Sequence, residues 1–401
     1  MRCCGQSSGC KGVLPEEAEK ADSFANAYDF KPDDAEGTGA KRVIGSDQFE
    51  NEYYRVSVDR MTGRISVFDK ELNRTVAKDM EITASEERGG NSIAIVPETG
   101  RTVINTVKRV ELEENNPVRA VVRMDGDLGG VSVVQRLFLY RGLKRVDLEN
   151  TVDWKLGRLM KIEQLFPYAQ ADAQIRYGIP FGSAAGSDIM PNTGPKKGDE
   201  IPRETWMRWR DIQDWIFAGT AQGGLTIAAD RQLIVLGDGV IRVGMLRGTY
   251  KTQVHTRGGK PVLIPVPRAG RYVYRYSLTS GKGDWVAAKS SRMGMAFSTP
   301  LVAVAPADEL SAKSLPPSQS FCSLEADNVI VTALKKAEAD GSIVLRAFET
   351  DGSQAETPVE FLGEKRSFRA VNLLEEEMSA GNAEVLRVKP YEISTVRLRI
   401  R

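Results

Sequence analysis

The sequence predicts an all-β chain in which large antiparallel sheets over residues 47–304 are followed by a small β-sandwich over residues 321–401. Three observations carry this. Residues 143–182 read as three successive strands: 145–154 alternates apolar and polar residues, 159–166 ends at Pro167, and 173–179 ends at Pro180-Phe181-Gly182. That is the pattern of antiparallel sheet with one face buried. Strand signals then recur through most of the chain with no long helical period between them. Finally, residues 305–320, APADELSAKSLPPSQS, shift to Ala, Ser and Pro without aromatics, as a linker between domains does.

Taken in order, residues 1–46 hold few aliphatics, so a loose lead-in is expected there, with one short helix near 15–20. Packed structure begins near Phe49, with strands at 53–58 and 64–69 joined by a turn bearing Gly63. Further strands are expected at 91–96, 102–112, 118–124 and 131–140, separated by turn clusters such as Asn115-Asn116-Pro117. After Gly182 comes a polar, Gly- and Pro-rich excursion too long for a hairpin, which reads as a mobile loop or one bordering a site. Strands resume at 206–218, 224–229, 232–236 and 240–246, a second long loop spans 247–260, and strands follow at 272–278 and 293–304. Beyond the linker, 328–337, 343–349, 357–361, 366–371, 383–388 and 394–400 make the small sandwich.

At 401 residues the chain can bury real cores without a disulfide or metal staple. Lys+Arg 55 against Asp+Glu 54 leaves a net charge of +1, which removes the electrostatic argument for a nucleic-acid partner. No apolar run reaches the roughly 18 residues a membrane span needs, and the opening MRCCGQSSGCKG lacks the apolar core of a secretory signal, so a cytoplasmic protein is expected. Cys3, Cys4 and Cys10 cluster without a second half-site or a nearby histidine, and Cys322 stands alone, so neither a disulfide framework nor a metal site is expected. The single histidine, His255, cannot supply a His-rich zinc site and reads as a surface residue of the second loop. GxxxxGK, HExxH and CxxC are all missing, which leaves their enzyme classes without support.

Carboxylates are plentiful, and a glycosidase needs only two of them flanking a sugar. Asp147, Glu149, Asp153, Asp211 and Asp214 sit near aromatic residues, although acidic residues on the wet face of an antiparallel sheet are expected in any case and are the better account of them. The stretch WMRWRDIQDW crowds Trp206, Trp209 and Trp215 together with Arg208, Arg210, Asp211 and Asp214. Flat indole rings flanked by guanidinium and carboxylate suit the C–H faces and hydroxyls of a sugar. The plainer account makes Trp206 and Trp215 core residues of a strand.

The blocks FENEYYRVSVDRMTGRISVFDKELNR, RVDLENTVDW, LMKIEQLFPY, IRYGIPFG, WRDIQD from Trp209, GMLRGT and the run 270–285 occur in the order that resembles the C-terminal half of class II alpha-mannosidases, glycoside hydrolase family 38. NVIVTALKKAEADGSIVLRAFETDG, NLLEEE and KPYEISTVRLR resemble that family's terminal β domain. The resemblance covers roughly 47–401. It implies a large antiparallel supersandwich of the galactose-mutarotase-like kind followed by a small terminal β-sandwich. It also implies an N-terminal α/β barrel holding zinc and an aspartate nucleophile, and no residue of this sequence corresponds to that barrel. Residues 86–101 depart from the aromatic, acidic stretch that many family members carry near substrate. The expectation is therefore the β half of an alpha-mannosidase-like hydrolase, without cofactor or catalytic residues of its own, that acts on alpha-mannosides beside a separately encoded barrel carrying the zinc. Tyr177, Trp209, Arg210 and Asp211 are the candidate sugar contacts. The rival expectation is a non-catalytic carbohydrate-binding or structural module, and a mutarotase or lyase on the same fold ranks last for want of a histidine in the sheet cleft.

Overall fold

The structure, a computed structural model, describes residues 41–42, 48–87, 98–170, 172–188, 209–230, 233–237, 239–253, 262–303, 319–378 and 381–398. Its larger part is two antiparallel sheets sharing one apolar core. The first sheet runs Lys41–Arg42, Gln48–Glu50, Tyr54–Val58, Ile65–Asp69, Arg74–Glu87, Met160–Pro167, Val240–Arg247, Leu233–Gly237 and Trp209–Asp211, with Glu98–Ile104 also paired to Arg74–Glu87. The second runs Gly182–Ala185, Gln174–Ile179, Trp215–Thr220, Gly223–Ala229, Gly270–Gly281, Val146–Trp154, Ser132–Tyr140, Arg119–Asp127 and Thr106–Asn115.

Alternation locates about half of these strands within a residue or two, but not their sheets, and Arg74–Glu87 is not among the expected strands at all. Of the three strands in 143–182, Val146–Trp154 and Gln174–Ile179 lie in the second sheet while Met160–Pro167 lies between Arg74–Glu87 and Val240–Arg247 in the first. The expected strand 102–112 is two strands that leave one sheet for the other at Asn105, and 206–218 likewise divides between Trp209–Asp211 and Trp215–Thr220. Asp214, at φ 65°, makes the second bend. Arg74–Glu87, the longest strand at 14 residues, breaks the alternation at exposed Lys78 and Asp79, where its register against Ile65–Asp69 shifts. Part of the expected loop 247–260 is strand, Thr249–Gln253 paired with Val262–Val266. The expected strand 293–304 is instead a helix, Ser290–Ser298, whose buried Ser290, Ser291 and Gly294 let it lie close on the second sheet. The helix expected near 15–20, the strand at 91–96, residues 305–318 of the linker, Cys3, Cys4, Cys10, Trp206 and His255 lie outside the described residues.

Two polar networks pin the large core. Gln135 donates to Asn150 Oδ1 and Gln164 Oε1 at 2.8 and 2.9 Å, and Asn150 donates to Gln164 Oε1 at 2.8 Å, so three buried amides tie the two sheets together. Asp69, fully buried, accepts from Ser280 Oγ and pairs with Lys144 at 3.1 Å, while Ser280 also meets Tyr54 Oη at 2.9 Å. Each buried polar group here finds a partner, as a dry interior requires.

The terminal part packs two four-stranded sheets on a core of its own that includes Leu345, Val359, Val388, Val396 and Leu398. One sheet joins Val329–Lys336, Ile343–Glu349, Ile393–Leu398 and Phe368–Val371; the other joins Cys322–Leu324, Ala355–Phe361, Glu364–Lys365 and Val385–Val388. It meets the large sandwich through Ser183 Oγ and Tyr391 Oη at 3.0 Å, an edge contact of Phe181 with Phe348 at 5.5 Å, and Lys289 with Asp327 at 2.7 Å. No described helix is long and apolar enough to cross a membrane.

Candidate functional site

The second sheet turns one face to the core and carries the helix Ser290–Ser298 on the other. The helix can sit this close because its inward residues are small: a Cβ at Gly294 would stand 2.7 Å from Trp215 Cβ, and Ser290 Oγ lies 2.7 Å from Thr226 Oγ1. Trp215 is thereby buried and stacks on Trp285 at 5.3 Å, with the Arg176 guanidinium 5.4 Å from the Trp285 ring centre.

Where the helix ends, the chain runs on past the sheet and leaves an open cleft of about 930 Å³. One wall is polar. Asp147 accepts two hydrogen bonds from Arg145, at 2.9 Å from Nε and 2.6 Å from Nη2, another from Ser277 Oγ at 2.5 Å, and one from Tyr140 Oη at 3.0 Å. Burial, reinforced by the Asp147 charge, pushes the Tyr140 hydroxyl up to about 12, so it stays a donor at any physiological pH. Asp214 accepts from Ser298 Oγ at 2.6 Å, and Arg275 and Asp230 complete this wall. The other wall is apolar, with Phe297, Pro300 and a fully exposed Leu301. Paired charges facing apolar carbon suit a ligand that has hydroxyls on its edges and C–H on its faces.

Two family models match the sequence: the glycosyl hydrolases family 38 C-terminal domain over residues 49–255, and the glycosyl hydrolases family 38 C-terminal beta sandwich domain over 328–396. The chain belongs to glycoside hydrolase family 38. An alpha-mannosidase from Enterococcus faecalis V583 shares its fold with a TM-score of 0.71 at 18% identity, over 90% of this chain and 43% of that one. A second family 38 protein from Enterococcus faecalis gives 0.69 at 16% identity, over 90% and 45%. This family 38 chain thus spans less than half the length of either structure. Among curated proteins no sequence matches it.

Within the family 38 chain, the residues expected at a sugar lie apart from this cleft. Tyr177 is 2% exposed and Arg210 5%; burial raises the Tyr177 pKa against the opposing pull of Arg210 beside it. Arg210 also donates to the main-chain oxygens of Gly186 and Asp188, at 3.1 and 3.0 Å, so it anchors the start of the long excursion after Gly182. Asp211 is exposed on the same edge strand, and Trp209 pairs there with Val235 through its backbone.

Among the five carboxylates weighed in sequence, Asp147 and Asp214 line the cleft. Glu149 and Asp153 stand directly across from Arg275 and Arg271 on the neighbouring strand and pair with them at 3.0 and 3.2 Å, as expected for a wet sheet face. Arg145, Asp230, Arg275, Phe297 and Leu301 were not foreseen. The helix that builds the apolar wall has its buried face in serines and a glycine, a signal that hydrophobic periodicity does not register.

The described residues do not fit the zinc that the family resemblance implies. No three His, Cys, Asp or Glu among them gather at metal-binding spacing, and the whole sequence holds one histidine.

Proposed function

We propose that this chain is the β part of an alpha-mannosidase-like glycoside hydrolase and that hydrolysis of alpha-mannosides requires a catalytic barrel from outside this sequence. One observation carries the reading: both matching family models are C-terminal ones, and they follow each other along the chain in order. Zinc and its ligands would belong to that barrel. The outer cleft supplies what a β partner can offer a saccharide, with Arg145 and Asp147 as hydrogen-bonding groups for hydroxyls and Phe297 and Leu301 as an apolar surface for the ring. Asp211, exposed on the edge strand Trp209–Asp211, would reach a ligand directly, while buried Arg210 of that strand and Tyr177 of Gln174–Ile179 beside it would act by holding the edge in shape.

The test is hydrolysis of an aryl alpha-mannoside by the purified chain, alone and mixed with a family 38 barrel, with and without added zinc. Turnover only in the mixture is the expected result. Turnover by the chain alone would overturn the reading and require a pair of carboxylates within the sandwich. A second reading, a carbohydrate-binding module without catalysis, rests on the cleft; it predicts saturable mannoside binding that Asp147→Asn abolishes, with no turnover in any mixture.

A further inference from the structure

The terminal sandwich holds a second concavity, of about 350 Å³, where the chain passes from Glu364–Lys365 of one sheet to Phe368–Val371, the edge strand of the other. Lys365, Arg366, Arg369 and Arg397 line it against a single lining carboxylate, Glu377, while Glu364 and Glu325 pair with Arg366 and Lys365 at 2.6 and 3.7 Å, so one of the four cations is in excess. Strand register brings two of these cations together: Arg369 stands directly opposite Arg397 where Phe368–Val371 pairs with Ile393–Leu398. Like charges in that position repel, so a fold that keeps them together does so at a cost in stability unless an anion joins them.

Their existing partners leave capacity unused. Arg369 is satisfied by Asn382 Oδ1 at 3.1 Å and Glu377 at 2.7 Å. Arg397 donates to the main-chain oxygen of Glu375, and its Nε is buried without a hydrogen-bond partner among the described residues. Arg366 meets Glu364 at 2.6 Å through Nη2, and its Nε is also buried and unpartnered. A buried N–H of a charged group left without an acceptor is costly, and small rotations of these two guanidiniums about an anion would give each one a partner.

We propose that this pocket binds a tetrahedral dianion, inorganic phosphate or a phosphate monoester. Three forked guanidiniums and an ammonium around one cavity suit an acceptor with several oxygens and a charge near −2 better than a planar monoanion. The volume leaves room for a small group attached to the phosphate. The inference does not depend on the sugar reading of the outer cleft.

Calorimetric titration of the intact chain with sodium phosphate, against sodium chloride and sodium acetate at matched ionic strength, tests it. Saturable one-to-one binding of phosphate is expected, with neither acetate nor chloride reproducing it. Arg397→Gln should weaken phosphate binding by about tenfold or more. The same variant should unfold at an unchanged or higher midpoint in phosphate-free buffer, because it relieves the Arg369–Arg397 repulsion; a purely structural arginine would lower that midpoint. Lys365→Gln, on the exposed rim, should give a smaller loss with the fold intact. Tighter binding of a hexose phosphate than of inorganic phosphate, with no binding of the free hexose, assigns the ester, and equal affinities assign the free ion. Acetate binding as well as phosphate, no saturable phosphate heat, or unaltered binding by Arg397→Gln would each overturn the proposal.

Discussion

On its inner face the second sheet meets the first through apolar side chains and three amides, Gln135, Asn150 and Gln164, each of them buried and bonded to the others. On its outer face the same strands present charge: Asp147 with Arg145, Glu149 with Arg275, and Asp153 with Arg271, grading from nearly buried beside the helix to exposed at the far end of the strand. The chemistry of a strand such as Val146–Trp154 therefore switches every residue. A polar group on the inner face is worth what its loss would strand in a dry interior, whereas a charge on the outer face is worth the small margin by which its partner improves on water. The largest effects of substitution should lie inside, and the effects on ligand binding outside.

Asn150→Leu should break the inner face most severely. It removes the acceptor of one Gln135 bond and the donor of one Gln164 bond, and forces a branched apolar group among the remaining amides. A loss of about 3 kcal/mol is expected, read as an earlier urea transition of the large sandwich, and a loss below about 1 kcal/mol would contradict the contrast drawn between the faces. Gly294→Val acts at the border of the two regimes. Its Cβ would meet Trp215 at 2.7 Å and lift the helix from the sheet, costing about 2 kcal/mol and shifting tryptophan emission to the red as Trp215 and Trp285 separate. Unshifted emission would mean that the helix does not depend on this close approach.

Asp147→Asn falls next, at about 1 kcal/mol, because Arg145 retains solvent and Ser277 retains an acceptor. Its sharper signature is a titration. Tyr140 titrates at about 12 when folded against an ordinary value of 10.0. Its raised pKa means that the unfolded chain loses the phenolic proton first. Stability from this group is therefore whole below pH 10.0, falls as pH climbs, and has gone once pH passes about 12. Asp147→Asn removes the second of the two main causes and keeps the first, burial, so tyrosinate absorbance should develop at lower pH than in the parent chain but still above the range of a free tyrosine. An unmoved titration would separate Tyr140 from the cleft electrostatics.

The contrast between faces also explains how much could be read in advance. Alternation in 145–154 reports that one face is buried, and the strand lies at Val146–Trp154. Sheet membership depends on partners far away in sequence, and nothing local in 159–166 says that Met160–Pro167 pairs with Arg74–Glu87 and Val240–Arg247 rather than with its chain neighbours. The helix misled for a different reason. Met293, Met295 and Phe297 repeat every second residue, as in a strand, while the helical face that is buried consists of Ser290, Ser291 and Gly294. With the helix went the apolar wall of the cleft, so Asp147 and Asp214 could be weighed as carboxylates but not assembled with Phe297. The indole stretch divided as its chemistry allows, Trp215 going beneath the helix as a buried residue.

The least effect should come from the pair at the open end of the sheet. Asp153 and Arg271 face each other across the strands at 3.2 Å, with side chains 47% and 72% exposed. Water already solvates both groups, salt screens what attraction remains, and holding two such side chains in one geometry costs rotamer freedom. A double-mutant cycle of Asp153→Asn and Arg271→Gln should therefore return a coupling below about 0.5 kcal/mol that disappears at high ionic strength. The same cycle at Arg145 and Asp147 should return a larger coupling that survives added salt, because Asp147 is largely withdrawn from solvent and accepts two bonds from that one guanidinium. Equal couplings at the two ends would mean that the helix does not shelter the cleft from solvent, and the gradient along the outer face would then be one of geometry alone.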